Sequence, residues 1–226
     1  MRSYLALRFG RAGWKLLLGF RETDRRRLCS DMKDPPLEYL IAILRLAYSG
    51  ELAAAYAYRG HWHSIREREI KSRICEIEDE EWHHRRLIGG MLEDLGRKPS
   101  RVREIKAAII GRSLGALCHV TGWLAPMYGA GRLERRNIEE YETAARLALE
   151  ANHPEYVDCL LTMAEVEWEH EKYFRERVLD HRWSKRMRLW SSPPPREEIR
   201  RSFERDVASP TCNEYAESLD EKQPVT

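Results

Sequence analysis

The chain has 226 residues, 34% of them charged, with 39 Lys and Arg against 37 Asp and Glu for a net charge of +2. That length suits one domain with appendages, and the balanced charge excludes a bulk nucleic-acid binder. The five cysteines (Cys29, Cys75, Cys118, Cys159 and Cys212) contain no Cys-x-x-Cys pair, which excludes a zinc ribbon or rubredoxin module and points to reduced thiols in a cytoplasm-like compartment. No apolar run reads as a membrane span.

Residues 1–34 form a basic arm in which Arg8, Arg11 and Lys15 interrupt an apolar stretch, so a secretory signal is not expected. A membrane-surface helix, an organelle presequence and a solvated arm are the open readings. Asp34-Pro35-Pro36 is a helix start, and a first helix is expected over 37–62. Its apolar stripe of Leu37, Leu40, Ile41, Leu44, Ala47, Tyr48, Ala54, Ala55 and Tyr58 is interrupted by one carboxylate, Glu51.

The second helix is expected over 67–95, with the stripe Ile70, Ile74, Ile77, Glu81, His84, Ile88, Met91 and Leu95. Glu81 and His84 are one turn apart on this apolar face. The overlapping pair Glu80 and His83 shares a face with Arg73, Glu76 and Asp79 and is assigned to the outside. Residues 101–131 read as a long apolar connection, either an interfacial helix that touches lipid or roofs an apolar substrate tunnel, or a crossover buried on the bundle. A third helix is expected over 132–151 with the stripe Ile138, Glu142, Ala145 and Leu149. After a turn at His153-Pro154, a fourth is expected from 155 to about 190, with Leu160, Ala164, Glu167, His170, Phe174 and Val178 inside. Pro193-Pro194-Pro195 ends the ordered pattern. A short charged helix over 196–206 and a polar tail to 226 follow, so the bundle is assigned to 35–190 and the appendage to 191–226.

Four helices thus each place a Glu on an apolar stripe, and the second helix of each hairpin adds a His one turn later in a repeated Glu-Trp-x-His (Glu81-Trp82-His83-His84 and Glu167-Trp168-Glu169-His170). The midpoint of Glu51 and Glu81 is Arg66, and that of Glu142 and Glu167 lies between Pro154 and Glu155, so each pair is expected level about its turn. Unpaired carboxylates in a core are costly, and two metal ions offset that cost. The expected ligands are Glu51, Glu81, His84, Glu142, Glu167 and His170. Mixed carboxylate and imidazole ligation suits two iron ions, with manganese as the alternative, better than zinc. Open coordination positions suit dioxygen or peroxide. Tyr48, Tyr58 and Tyr141 lie near the ligand level as hydrogen-bond donors to the carboxylates, radical relays or plain core. His61, His63, His83, His119, His153 and His181 have no ligand spacing and are read as surface or capping residues.

These residues resemble the ferritin-like di-iron carboxylate superfamily over about residues 37–180, and most of all the demethoxyubiquinone hydroxylase family. The likeness rests on Gly50-Glu51-Leu52-Ala53-Ala54 with Tyr58-Arg59-Gly60, on Asp79-Glu80-Glu81-Trp82-His83-His84 with its exit Leu95-Gly96-Arg97-Lys98-Pro99-Ser100, and on Leu114-Gly115-Ala116-Leu117 before a Gly-Trp-Leu. The resemblance implies an all-α, ferritin-like four-helix bundle of two antiparallel hairpins, joined by an amphipathic crossover that meets membrane and quinone. It implies an O2-activating monooxygenase that hydroxylates the ring of a lipid-soluble quinone precursor, peripheral at a membrane and open to self-association. Glu81 and Glu167 would then occupy the bridging positions. With Glu142 as the third-helix ligand, the family's His-Tyr pair falls on Ala148 and Leu149, its Gln after the first-helix Gly is His61, and the second hairpin is short. The competing functions are a ferroxidase or rubrerythrin-like peroxidase without an organic substrate, and a non-catalytic helical module.

Overall fold

In a computed structural model of the protein, describing residues 34–208, Asp34 caps the first helix by accepting the Leu37 backbone N–H at 3.3 Å, and Pro35 and Pro36 occupy its first turn. The basic arm and the polar tail lie outside the described residues. Six α-helices follow in order: α1 (Pro35–Ser64), α2 (Arg68–Asp94), α3 (Arg101–Thr121), α4 (Leu124–Glu150), α5 (Val157–Leu179) and α6 (Glu197–Val207). There is no strand among the described residues. The architecture is an all-α ferritin-like bundle: α1/α2 and α4/α5 are antiparallel hairpins and α3 crosses between them along the outside of α1.

The interior divides into two apolar clusters. One is built on Leu40, Leu44, Ile88, Leu92, Ile138, Ala145 and Leu160. The other is built on Ala54, Ile74, Ile77, Met127, Ala130, Phe174 and Val178. On each of the four bundle helices a short gap separates the residues of one cluster from those of the other. The gaps fall at Glu51 on α1, Glu81 and His84 on α2, Glu134 on α4, and Glu167 and His170 on α5. The bundle therefore has an ionisable layer between two apolar ones.

Three elements depart from the sequence reading. First, α4 begins at Leu124, not at 132, because only Gly122, with φ of 71°, and Trp123 separate it from α3. Second, α5 stops at Leu179, well short of 190. The chain then folds back along the bundle, where the Trp190 indole donates to buried Glu171 at 2.6 Å and Arg175 holds the Ser191 carbonyl at 3.1 Å. Helix propensity continues past 179, but these tertiary bonds outweigh it. Third, the expected charged helix exists as α6 and is joined to the bundle: Ile199 is buried in the first cluster, Phe203 packs against it, and Arg200 bridges to Glu165 and Asp158 of α5.

Contrary to the sequence reading, α1 is long and apolar enough by composition to cross a membrane, although 56% of its most apolar window is buried in the bundle. The crossover packs one face on α1 and leaves the other exposed. Among its residues Ala107, Gly111, Gly115 and Cys118 are buried. A Cβ on Gly60 of α1 would overlap the Gly115 backbone, so the two helices touch main chain to main chain. The opposite face carries Val102, Ile105, Ile109, Leu117 and Val120, all at least half exposed. Cys75, Cys118 and Cys159 are free.

Candidate metal centre

Glu51, Glu81, His84, Glu134, Glu167 and His170 are all buried, with 3% exposure at most. Their ligand atoms form two groups, each within 4.8 Å: Glu51, Glu81, His84 and Glu167 in one, and Glu81, Glu134, Glu167 and His170 in the other. Glu81 and Glu167 belong to both and lie between them. His84 Nδ1 is 3.1 Å from Glu167, and His170 Nδ1 is 3.4 Å from both Glu81 and Glu167.

Five of the six expected residues are brought together. Glu142 is not. It is half-buried, with Arg146, Glu139, Arg135 and Asp206 as its charged neighbours, and Glu134 occupies the place expected of it. The physical reason is the late helix start assumed for α4. At roughly 100° per residue, Glu134, Ile138 and Tyr141 stay within about 60° of one another, while Glu142 stands about 80° round from Glu134. The argument from levels failed because the turn is Ala151–His153, with Asn152 at φ of 58°, and Pro154 already begins the returning arm as a 3₁₀ turn. The midpoint of Glu134 and Glu167 lies between Glu150 and Ala151, nearer the centre of that turn than the midpoint of Glu142 and Glu167. A signal was present in the sequence. Glu51 is followed seven residues later by Tyr58, and Glu134 is followed seven residues later by Tyr141, a spacing Glu142 lacks.

The tyrosines close the layer from both sides. Tyr58 of α1 donates to Glu134 of α4, and Tyr141 of α4 donates to Glu51 of α1. Tyr48 takes no part; its ring lies under the Arg85 guanidinium. Moving the α4 carboxylate to Glu134 also moves the family's His-Tyr pair onto Glu140 and Tyr141, so the tyrosine is present and a carboxylate stands for the histidine. Burial, and then the neighbouring Glu51, push Glu140 up to about 7.

Two residues read as exterior turn inward. Glu80 is half-buried and reaches across to α5, where its Oε2 lies 2.6 Å from His170 Nε2. That contact leaves Nδ1 of His170 facing the carboxylates. His61 is 1% exposed, not a surface residue, and burial lowers it to about 4.

The electrostatics fit a cation pair. Burial, followed by neighbouring carboxylates, raises Glu81 and Glu134 well above the usual carboxylate range, and burial also raises Glu51. Burial would raise Glu167 too, but hydrogen bonds from His170 and His84 outweigh it and hold Glu167 low. Glu51 Oε2, both oxygens of Glu81, Glu167 Oε2 and His170 Nδ1 are buried without a hydrogen-bond partner. Orphaned buried acceptors of this kind are costly, and these lie among the grouped ligand atoms. The donor set therefore suits hard or borderline cations, and such a set in a four-helix bundle is that of carboxylate-bridged dinuclear centres.

Residues 38–143 match the family model described as COQ7: Ubiquinone biosynthesis protein COQ7. The match takes in α1 to α3 and most of α4, including Glu51, Glu81, His84 and Glu134, and ends before α5. No curated protein and no solved structure matches the chain. The helical architecture, the buried carboxylate and histidine layer and this match agree: over residues 38–143 the chain is similar to the ubiquinone-biosynthesis COQ7 family of di-iron hydroxylases, which lies within the ferritin-like superfamily.

Proposed function

We propose that the protein is an O2-activating monooxygenase that hydroxylates the ring of an apolar, quinone-like precursor while resting on a membrane surface. Glu51 and His84 would hold one iron and Glu134 and His170 the other, with Glu81 and Glu167 placed to be shared by both. The observation that carries this reading is the pair of overlapping buried groups, whose shared members, Glu81 and Glu167, carry three of the four unpartnered carboxylate oxygens in the layer. Two iron ions held there supply the electrons needed to activate dioxygen.

The chain's own residues set the conditions. Glu80 accepts from His170 Nε2 and keeps the other ring nitrogen free for the metal. Tyr58 and Tyr141 hold Glu134 and Glu51 against rotation. The apolar clusters on both sides exclude water from the layer. The outward apolar face of α3 supports contact with a lipid surface, from which a lipid-soluble substrate would be drawn.

The test is to load the protein anaerobically with ferrous iron, supply a methoxybenzoquinone bearing an isoprenoid tail and a reductant, and admit labelled dioxygen. The expected outcome is two irons per chain and one labelled oxygen atom in the product ring. Rapid oxidation of many ferrous ions per chain with no labelled organic product would instead make it a ferroxidase.

A further inference from the structure

On the far side of α2 from the metal layer, Tyr48, the second half of α2 and the loop into α3 enclose a groove of about 740 Å3. Gly89 and Gly90 leave it open: a Cβ on Gly90 would meet nothing, and one on Gly89 only the edge of the Tyr48 ring at 3.1 Å. Trp82 and Tyr48 give it aromatic walls. Arg85, Arg86, Arg97 and Lys98 line it with positive charge against a single lining carboxylate, Glu93.

The four cations are not equivalent. Arg85 stacks 3.6 Å over the Tyr48 ring and is paired with Glu104 of α3. Arg97 is paired with Glu38 at 2.6 Å. Among the described residues Arg86 makes only a 3.4 Å contact with His83, and the Lys98 side chain makes no ion pair. The groove therefore has two committed cations that shape it and two uncommitted ones facing solvent.

The groove ends at the start of the helix that carries the exposed apolar face. Pro99 lines it and leads directly into α3, and the Arg85–Glu104 pair ties its wall to the first turn of that helix. A ligand that satisfies both surfaces needs an anionic head and an apolar body. A free phosphate would meet two uncommitted cations and nothing else, beside the carbonyl end of α2, which repels anions.

We propose that this groove holds the phosphate of an anionic phospholipid whose acyl chains lie against the apolar face of α3. The proposal rests on the membrane-facing reading of α3 given above. It adds a headgroup site that orients the enzyme on the surface, with Arg86 and Lys98 as the residues that contact the phosphate.

The test uses the full chain in flotation assays with vesicles of phosphatidylcholine alone or mixed with phosphatidylglycerol. The wild type is expected to bind the mixed vesicles at least tenfold more tightly, from about fivefold per cation near an anionic surface. The double variant Arg86→Gln, Lys98→Gln loses that preference and still binds neutral vesicles like the wild type. The charge-matched variant Lys172→Gln, Arg201→Gln, on α5 and α6, keeps the preference. Retention of the preference by the first variant, or its equal loss in the second, overturns the headgroup site. Inorganic phosphate is expected to displace the protein from mixed vesicles no more than chloride of equal ionic strength. Greater displacement would assign the groove to free phosphate and overturn the lipid. The variant Ile109→Ser, Leu117→Ser is expected to bind both vesicle types more weakly. Unchanged binding to neutral vesicles by this variant would remove the membrane-facing reading of α3 and overturn the phospholipid proposal with it, whereas loss of charge preference alone in the first variant leaves that reading standing.

Discussion

The hydroxyl of Tyr141 donates a hydrogen bond across the bundle to Glu51, seven residues upstream of Tyr58, which returns the same bond to Glu134, seven residues upstream of Tyr141. This exchange supports Glu134 as the proposed α4 ligand. Glu134→Ala is expected to retain no more than one metal per chain, whereas Glu142→Ala retains two. Metal analysis after anaerobic loading and gel filtration decides the matter. Full metal content in Glu134→Ala, or half content in Glu142→Ala, would restore the original assignment. Tyr58→Phe removes one buried bond and is expected to lower the stability of the apo protein by about 1 kcal/mol.

Glu80 acts through His170. Outer carboxylates on metal-bound histidines typically change affinity by about 10 to 100-fold when removed, so Glu80→Ala should weaken one of the two metals by that factor and leave the other unchanged. Competition against a chelator of known affinity measures both steps. Two unaltered affinities would make the contact merely structural. Asp79, exposed beside Glu80, serves as the control in the variant Asp79→Ala.

His61 makes stability depend on pH. Burial lowers it to about 4 from 6.5, so the folded protein keeps the ring neutral where the unfolded chain takes up a proton. The unfolded state binds more protons between those values, and stability therefore falls as pH drops through the window and is unaffected above it. The full effect is roughly 3 kcal/mol at the acid end. Denaturant titrations of wild type and His61→Gln from pH 7.5 to 4 should diverge by that amount, with the variant flatter. Parallel curves would show that the ring finds a proton acceptor in the fold.

The contact between α1 and α3 depends on two glycines. A Cβ on Gly60 would overlap the Gly115 backbone, while one on Gly50 in the same helix would meet nothing. Gly60→Ala should cost about 1–3 kcal/mol by forcing the helices apart. Gly50→Ala should stabilise by up to about 1 kcal/mol, because it only reduces the freedom of the unfolded chain. Urea midpoints compare them, and a destabilised Gly50→Ala would show that a neighbour had been missed.

The sequence by itself determined which residues face inward on α1, α2 and α5. Those helices have clear starts at Asp34-Pro35 and after the loop residues of each hairpin, and a 3.6-residue period needs only a starting phase to place Glu51, Glu81, His84, Glu167 and His170 on the buried side. It failed on α4 because Gly129, Gly131 and the apolar run before them concealed where that helix begins, and an error in phase moved the inward carboxylate from Glu134 to Glu142. Only the tertiary structure decided the contacts that depend on two helices at once: Glu80 on His170, the exchanged tyrosines, the burial of His61 and the return of Trp190 onto Glu171. Periodicity reports which way a side chain points from its own axis. What it meets depends on the rotation and offset of the neighbouring helix, which the packing of both helices' side chains sets.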